Sequence, residues 1–464
     1  MPVNSFDQYP LTWKPDKAAL KRPYYRSLAA DLEDKIRRGV LQAGTKLPPQ
    51  REIADFLDLN YTTITRVYEA CRKKGLIYGI TGRGTFVSPH AEEDTTLVSE
   101  TLRADVIDLG AVNGYSEHSL LVERATEAVV RKGYLRHLYE YDCPAGYPHQ
   151  LAAGVRWLEQ VGVHTAAERT AVFSGAQNAL TVALLSLFDP GDRIAVDPYT
   201  YSNFIELAKL MHLVLVPVKG DGAGMLPEEL ERQCRLNRVK GIYLMPAFAN
   251  PTTVSIPLAR RRELAAVIRD CGLILLEDDI GAWMAAAGGV TVPSLFDLLH
   301  GESLYICGMT KSLCPGLRIA FMTYGGRFRK QILHGLSNIN IKTSSLDAEI
   351  ITELILNGDA YRIAKEKRAL AEKAGQLFAA LFAGRCPRAA EPGYFRWLPL
   401  GTKKDPARVE GDLLRRGVRV YHSGRFAVQA GAAQDYLRVS LSSAGDFRHL
   451  QKGLERLRDY LEEI

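Results

Sequence analysis

The 464-residue sequence contains no apolar run approaching the roughly 18 residues that a bilayer-crossing helix needs. Its first residues, MPVNSFDQYPLTWKPDK, lack the basic-then-apolar pattern of a secretion signal, so a cytoplasmic protein with no membrane partner is expected. Cysteine is sparse: seven residues, an odd number, with no CxxC spacing. That argues against a disulfide framework and against a zinc site, and no metal is expected. Nor is there a low-complexity tract; 47% of residues are hydrophobic, enough for a large core, and the length suggests two or three domains.

The charge is uneven. Residues 1–90 hold 15 Lys and Arg against 9 Asp and Glu, whereas the remaining chain carries 44 of each. The whole surplus of six positive charges therefore sits in the first fifth of the protein, the footprint of a nucleic-acid-binding module joined to a neutral body.

Within that basic segment Tyr25, Leu28, Leu32 and Ile36 recur at helical spacing, and Gly39 ends the helix. Pro48-Pro49 then start a short helix carrying Ile53, Ala54 and Leu57. Asn60 caps a third, whose Ile64, Val67, Tyr68 and Cys71 share a face, and LIYGITGRGTFV reads as two short strands around a turn. Three helices and a hairpin make a winged helix-turn-helix, an α+β domain whose third helix enters the major groove. The stretch LPPQREIADFLDLNYTTITRVYEACRKKGLIYGITGRGTFV resembles the GntR family of bacterial DNA-binding domains. The resemblance implies double-stranded DNA as partner, with Arg51, Thr63, Arg66 and the wing residue Arg83 mostly on phosphates and Tyr61 and Thr62 at base edges. Pro49 stands where a helix-capping serine is usual, and Tyr61 where an arginine is common. This domain is assigned to residues 18–88, and polar, acidic residues 89–105 to a linker.

From residue 106 onward, apolar runs (AVFSG, RIAVDP, LVLVPV, GIYLMP, LILLED, SLYICG, RIAFMTYG) alternate with helical stretches. That alternation predicts an α/β domain with a mostly parallel central sheet, in which ligands collect at the carboxyl ends of strands. The chemically suggestive residues all follow such runs. Lys311 lies beyond SLYICG; a lysine buried there would be available as a free amine. LLEDDIG puts Asp278 and Asp279 directly after a buried strand. SGAQNAL is a turn of small residues into a helix, whose backbone N–H groups suit a phosphate.

SGAQNAL, PAFANPTT, LLEDD and TKSLCPGLRIAF occur in the order and near the spacings of the fold-type I aminotransferases, enzymes that use pyridoxal 5′-phosphate (PLP). The resemblance covers about residues 106–464, with a large lobe near 130–340 and a small C-terminal α/β lobe near 345–464. A GntR-like reader fused to such a body resembles the MocR (GabR-like) transcription regulators. The resemblance implies that Lys311 holds PLP as a Schiff base, Asp278 the pyridine nitrogen and Asn250 the 3′ oxygen, with Tyr201 stacked on the ring. It further implies that Ala176, Gln177, Thr310 and Arg318 hold the phosphate, that Tyr141 reaches the phosphate of a partner subunit in a head-to-tail homodimer, and that Arg438 pairs with an effector's carboxylate. Asp279 is read as a helix-starting or surface carboxylate outside the site. Side chains around Asn113, Tyr115 and Trp283 are expected to complete the pocket.

Three departures bear on function. The family's tyrosine shortly after the aspartate is absent, with Ile280 and Gly281 in its place; its Ser-x-Ser-Lys reads Gly308-Met309-Thr310-Lys311; and its Asn-Pro-Thr-Gly turn ends in Thr253. The expectation is a regulator that senses a small amine or amino acid through external aldimine formation, with at most a weak transaminase half-reaction. An active aminotransferase is the alternative, and a repressor using the body only for dimerisation is a third reading.

Overall fold

The computed structural model describes residues 11–37, 40–42, 44–73, 76–80, 84–87, 105–115, 119–382, 384–386, 388–401, 404–429 and 435–464. They fall into two compact units, Met1–Asp94 and Thr95–Ile464.

In the first unit, α1 (Tyr24–Arg37) buries Leu28, Leu32 and Ile36, residues four apart that share one helix face. The second helix, α2 (Gln50–Leu57), starts after Pro49, which supplies no side-chain cap, and stops at Asp58 in the left-handed region. Asn60 Oδ1 accepts the Thr62 N–H at 2.9 Å and so caps α3 (Tyr61–Lys73), whose Ile64, Val67, Tyr68 and Cys71 are buried. Strands β1 (Ile77–Ile80) and β2 (Gly84–Val87) pair antiparallel as the wing. Trp13, upstream of the range read from the sequence, is fully buried in the same core and donates its indole N–H to Asp31 at 2.8 Å. Residues 11–20 carry no periodicity that would have announced this.

The second unit is built on a seven-stranded sheet: β3 (Thr170–Phe173), β4 (Arg193–Val196), β5 (Val214–Pro217), β6 (Gly241–Leu244), β7 (Ile274–Asp279), β8 (Leu304–Gly308) and β9 (Ala320–Tyr324). All seven apolar runs named above are strands of this sheet. Their spatial order is β3-β9-β8-β7-β6-β4-β5, and only β9 runs against its neighbours. The runs are continuously apolar because both faces are covered. Ile194, Val196, Tyr243 and Leu276 pack on one side with the helices Ala176–Leu187 and Arg329–Ile339. Ala195, Ile242, Leu244 and Leu275 pack on the other with Leu258–Asp270.

A three-stranded antiparallel sheet forms the small lobe, with β12 (Tyr436–Ser440) between β10 (Phe395–Pro399) and β11 (Tyr421–His422). Ile107–Asp108 joins that lobe by pairing parallel with Val418–Arg419, and Arg419 grips Asp108 through Nε at 3.0 Å and Nη2 at 2.6 Å. Asp108 also accepts the N–H groups of Gly110 and Ala111, which fixes the segment after it. Among the described residues, no helix is long and apolar enough to cross a membrane, and no group of His, Cys, Asp and Glu could hold a metal ion.

Candidate functional site

Strand register explains why residues far apart in sequence meet. Gly308 pairs with Ala320, Ala320 pairs with Phe173, and Asp279 pairs with Cys307. The turns that follow β3, β7 and β8, and the one that precedes β9, therefore open at one edge of the sheet. They line a cavity of about 500 Å³ whose wall includes Lys311, Asp278, Thr310 and Arg318. Ala176, Gln177, Asn250, Tyr201 and Arg438 line the same cavity. Tyr141 does not line it; its side chain is 82% exposed on the surface of this chain.

The Lys311 amine donates to the carbonyl of Val112, in the segment fixed by Asp108. Burial, followed by the positive charges of Arg438, Arg318 and Lys367, lowers its pKa from 10.5 to about 8. Asp278 accepts the Tyr243 hydroxyl at 2.7 Å on Oδ2, while its buried Oδ1 has no partner. Burial raises its pKa to about 7, against the lowering effect of the Tyr243 bond and with a further push from Asp279. Asp279 is buried rather than superficial, and its Oδ1 accepts the N–H groups of Gly281 and Ala282 at 2.9 and 2.7 Å, starting the short helix Ala282–Ala286.

At the other end, the helix Ala176–Leu187 begins at Gly175 with no side-chain cap, leaving first-turn N–H groups open to an acceptor. Gly175 has φ +87°, and a Cβ there would come within 2.6 Å of Arg318 Nη2. Only glycine lets the backbone and the guanidinium converge this closely. Arg318 itself sits at φ +51° and donates to Thr310 Oγ1 at 3.3 Å. Open helix N–H groups, a guanidinium and a hydroxyl fit a phosphate; the orphaned carboxylate oxygen of Asp278 fits a protonated ring nitrogen, and the buried amine fits an aldehyde. The residues present thus match the donor and acceptor set of PLP.

Arg438, buried on β12, donates from Nη1 to Asn250 Oδ1 at 3.0 Å and from Nη2 to the Gly110 carbonyl at 2.8 Å, and its Nε has no partner. Ile280 and Gly281 stand where the related pattern has a tyrosine, and at Gly281 a Cβ would stand 2.5 Å from the Ala247 carbonyl and 2.7 Å from Phe248 Cβ. A Cβ on Gly308 would lie 3.3 Å from Ala176 Cβ, a tight fit for a serine. Asn113 lines the cavity, whereas Tyr115 and Trp283 are outside its lining, tilted against the lining ring of Tyr394 with centroids at 5.5 and 5.9 Å. Sequence reasoning missed Tyr243, Tyr394, Val112 and Lys367. Tyr243 could have been found as the one polar side chain in a buried run; the others carry no local signal.

In the first unit, Arg51, Tyr61, Thr62 and Arg66 are exposed, and Thr63 is half-buried. Thr62 bonds Asn60 Oδ1 through both its N–H and its hydroxyl, at 2.9 and 2.8 Å. Thr65 reaches Gln50 at 2.9 Å, locking α3 to α2. Arg83 lies outside the described residues.

Comparison with known proteins gives the same two halves. The profile of the family "Aminotransferase class I and II" matches residues 104–457, and that of "Bacterial regulatory proteins, gntR family" matches residues 24–87. The chain is 34% identical, over the whole length of both proteins, to the uncharacterised HTH-type transcriptional regulator YdeF of Bacillus subtilis. It is 26% identical to a 2-aminoadipate transaminase of Thermus thermophilus, over 72% of this chain and 85% of that one. The crystal structure of LysN, an α-aminoadipate aminotransferase of T. thermophilus complexed with N-(5′-phosphopyridoxyl)-L-leucine, shares the fold of the second unit: TM-score 0.69, 22% identity, 78% of this chain and 93% of that chain covered. The chain therefore belongs to the MocR-type HTH transcriptional regulators, which join a GntR-family DNA-binding domain to a class I and II aminotransferase domain, a family and fold that imply PLP as cofactor.

Proposed function

We propose that this regulator senses a small primary amine or amino acid at the cavity of its aminotransferase domain and that the sensing changes its hold on a DNA operator. The observation that carries this reading is the joint presence of Lys311, Asp278 and Arg318 in one cavity, where Ile280 and Gly281 line the wall in place of the tyrosine of the related enzymes. The site has what holding PLP requires and lacks a side chain the catalysts use.

When bound, PLP supplies an aldehyde that condenses with primary amines and a pyridine ring that withdraws electrons. Lys311, lowered to about pKa 8, offers its amine unprotonated for part of the time at neutral pH. Asp278 Oδ1 would accept a hydrogen bond from the protonated ring nitrogen while Tyr243 orients the other oxygen. Asn250 would hold the 3′ oxygen, Tyr201 would face the ring, and Ala176, Gln177, Thr310 and Arg318 would hold the phosphate. Arg438 receives the effector's carboxylate. Tyr141, exposed here, reaches the phosphate of the partner subunit in a head-to-tail homodimer. In the first unit, Arg51, Arg66, Thr63 and Arg83 take phosphates, and Tyr61 and Thr62 read bases. An effector changes DNA binding only to the extent that it binds two conformations of the body unequally.

The test is a screen of amines and amino acids against the purified full chain, read by the visible absorption band and by operator affinity together. The expected result is a compound that shifts both. A compound that shifts the band without changing DNA affinity would overturn the sensor reading, and rapid sustained turnover with a keto acid would establish an enzyme instead.

A further inference from the structure

Lys367 is a lysine with no exposed surface, carried by the long helix Asp359–Phe382 between the buried Ile363, Ala364 and Ala371. Burying an ammonium among apolar side chains is costly unless its donors are satisfied. Its Nζ donates to the carbonyls of Leu313 at 2.5 Å and Lys311 at 3.4 Å. These oxygens belong to the end of the single turn Met309–Ser312, where main-chain acceptors lack helical partners and favour a cation. The Tyr394 hydroxyl donates to the same Lys311 carbonyl at 2.7 Å. Gly114 lines the remaining side, and a Cβ there would lie 3.2 Å from Lys367 Nζ.

We propose that Lys367 is a positioning residue for Lys311: its ammonium holds the main chain of Lys311 from below and places a fixed positive charge behind the reactive amine. The proposal rests on the reading of Lys311 as the cofactor's attachment point. The charged groups around the Lys311 amine are Arg438 on β12, Arg318 before β9 and Lys367 on the long helix, all depressing its proton affinity after burial has done so. Asp278, Tyr201, Tyr394 and Tyr421 line the same cavity. Methionine in place of Lys367 would keep an unbranched side chain of similar length. It would neither bind the two carbonyls nor repel a proton from Lys311.

The experiment compares wild type, Lys367→Met, Lys367→Gln and Lys367→Arg as full chains stripped of cofactor. Each is pulsed with an acetylating N-hydroxysuccinimide ester from pH 6.5 to 10.5, and Lys311 is scored by mass spectrometry against the exposed Lys452 in the same sample. The expected result is that Met and Gln move the Lys311 midpoint upward and cut its labelling at pH 7.5 about threefold to tenfold, the effect of half a unit to one unit of pKa. Arg should restore the midpoint. Gln carries the test if Met fails to fold. A folded Met or Gln variant with the wild-type midpoint overturns the proposal. Borohydride fixation of PLP on wild-type Lys311 reports the underlying reading separately. Its absence defeats both, whereas fixation with an unmoved midpoint defeats the Lys367 proposal alone.

Discussion

Asn250 and Arg438 are joined directly, Nη1 of the arginine donating to Oδ1 of the asparagine at 3.0 Å. This bond fixes which way the amide faces, because only its oxygen can accept from a guanidinium. The Asn250 NH₂ is thereby its remaining side-chain donor at the cavity wall, while Arg438 keeps an unpartnered Nε. The strand that carries the carboxylate-binding candidate thus also sets the asparagine.

Arg438→Lys keeps a charge but loses the planar fork. Amino-acid effectors should lose at least about tenfold in apparent affinity, the scale of one charge-assisted hydrogen bond. Simple amines without a carboxylate should shift the absorption band as before. Titration of both classes against the variant checks this, and equal losses for both would remove Arg438 from carboxylate recognition.

Two buried groups of the cavity contribute to the pH dependence of cofactor-free protein, and Asp197 and Glu277, each raised to about 7 by burial, act in the same direction as the first. Asp278 has a folded pKa of about 7, above its ordinary 3.8, so the folded state binds the extra proton and stability falls as pH rises through that interval. Lys311 has a folded pKa of about 8, below 10.5, so here the unfolded state binds the extra proton and stability rises as pH climbs from about 8 toward 10.5. Urea unfolding across pH should show Asp278→Asn reducing the first slope, with Asp197 and Glu277 sustaining the remainder, and Lys311→Met reducing the second.

Arg66 is exposed on α3, the helix expected to enter the major groove. Arg66→Ala should weaken binding to operator and to unrelated duplexes alike and reduce the steepness of the salt dependence by about one unit of log K against log salt. Visible absorbance should be unchanged. Tyr61→Ala should instead alter the preference among sequences. Gel shift or anisotropy titrations at several salt concentrations separate the two.

Gly281→Tyr should not create a transaminase. With the Ala247 carbonyl 2.5 Å from the first added carbon, the backbone must move before any ring is placed, at a cost of about 1–3 kcal/mol, the scale of overpacking elsewhere. Even Gly281→Ala should lower the melting temperature. Calorimetry with a keto-acid assay checks both statements.

The strands and the recognition helix were legible because their signals are local. Seven apolar runs became the seven strands, and Asn60 caps α3 as its position implied. The cavity-lining residues were legible where each followed a strand, because register carries loop starts to one edge. What escaped the sequence depends on long-range packing. Lys367 looks like any helical lysine until Leu313 lies against it, and Trp13 sits in a segment without periodicity. That Gly281 is closed to side chains follows from the path of 247–248, which no spacing rule encodes.

Lys311 and Arg318 sit on the connection between β8 and its antiparallel neighbour β9, so the two proposed cofactor anchors belong to one hairpin of the large sheet. The strands that flank this connection are held on their outer sides too, β8 by β7 and β9 by β3. Arg438, Tyr394 and Tyr421 reach the same cavity from the small lobe. A single ligand touching both Arg318 and Arg438 would therefore bridge the large sheet and the small lobe.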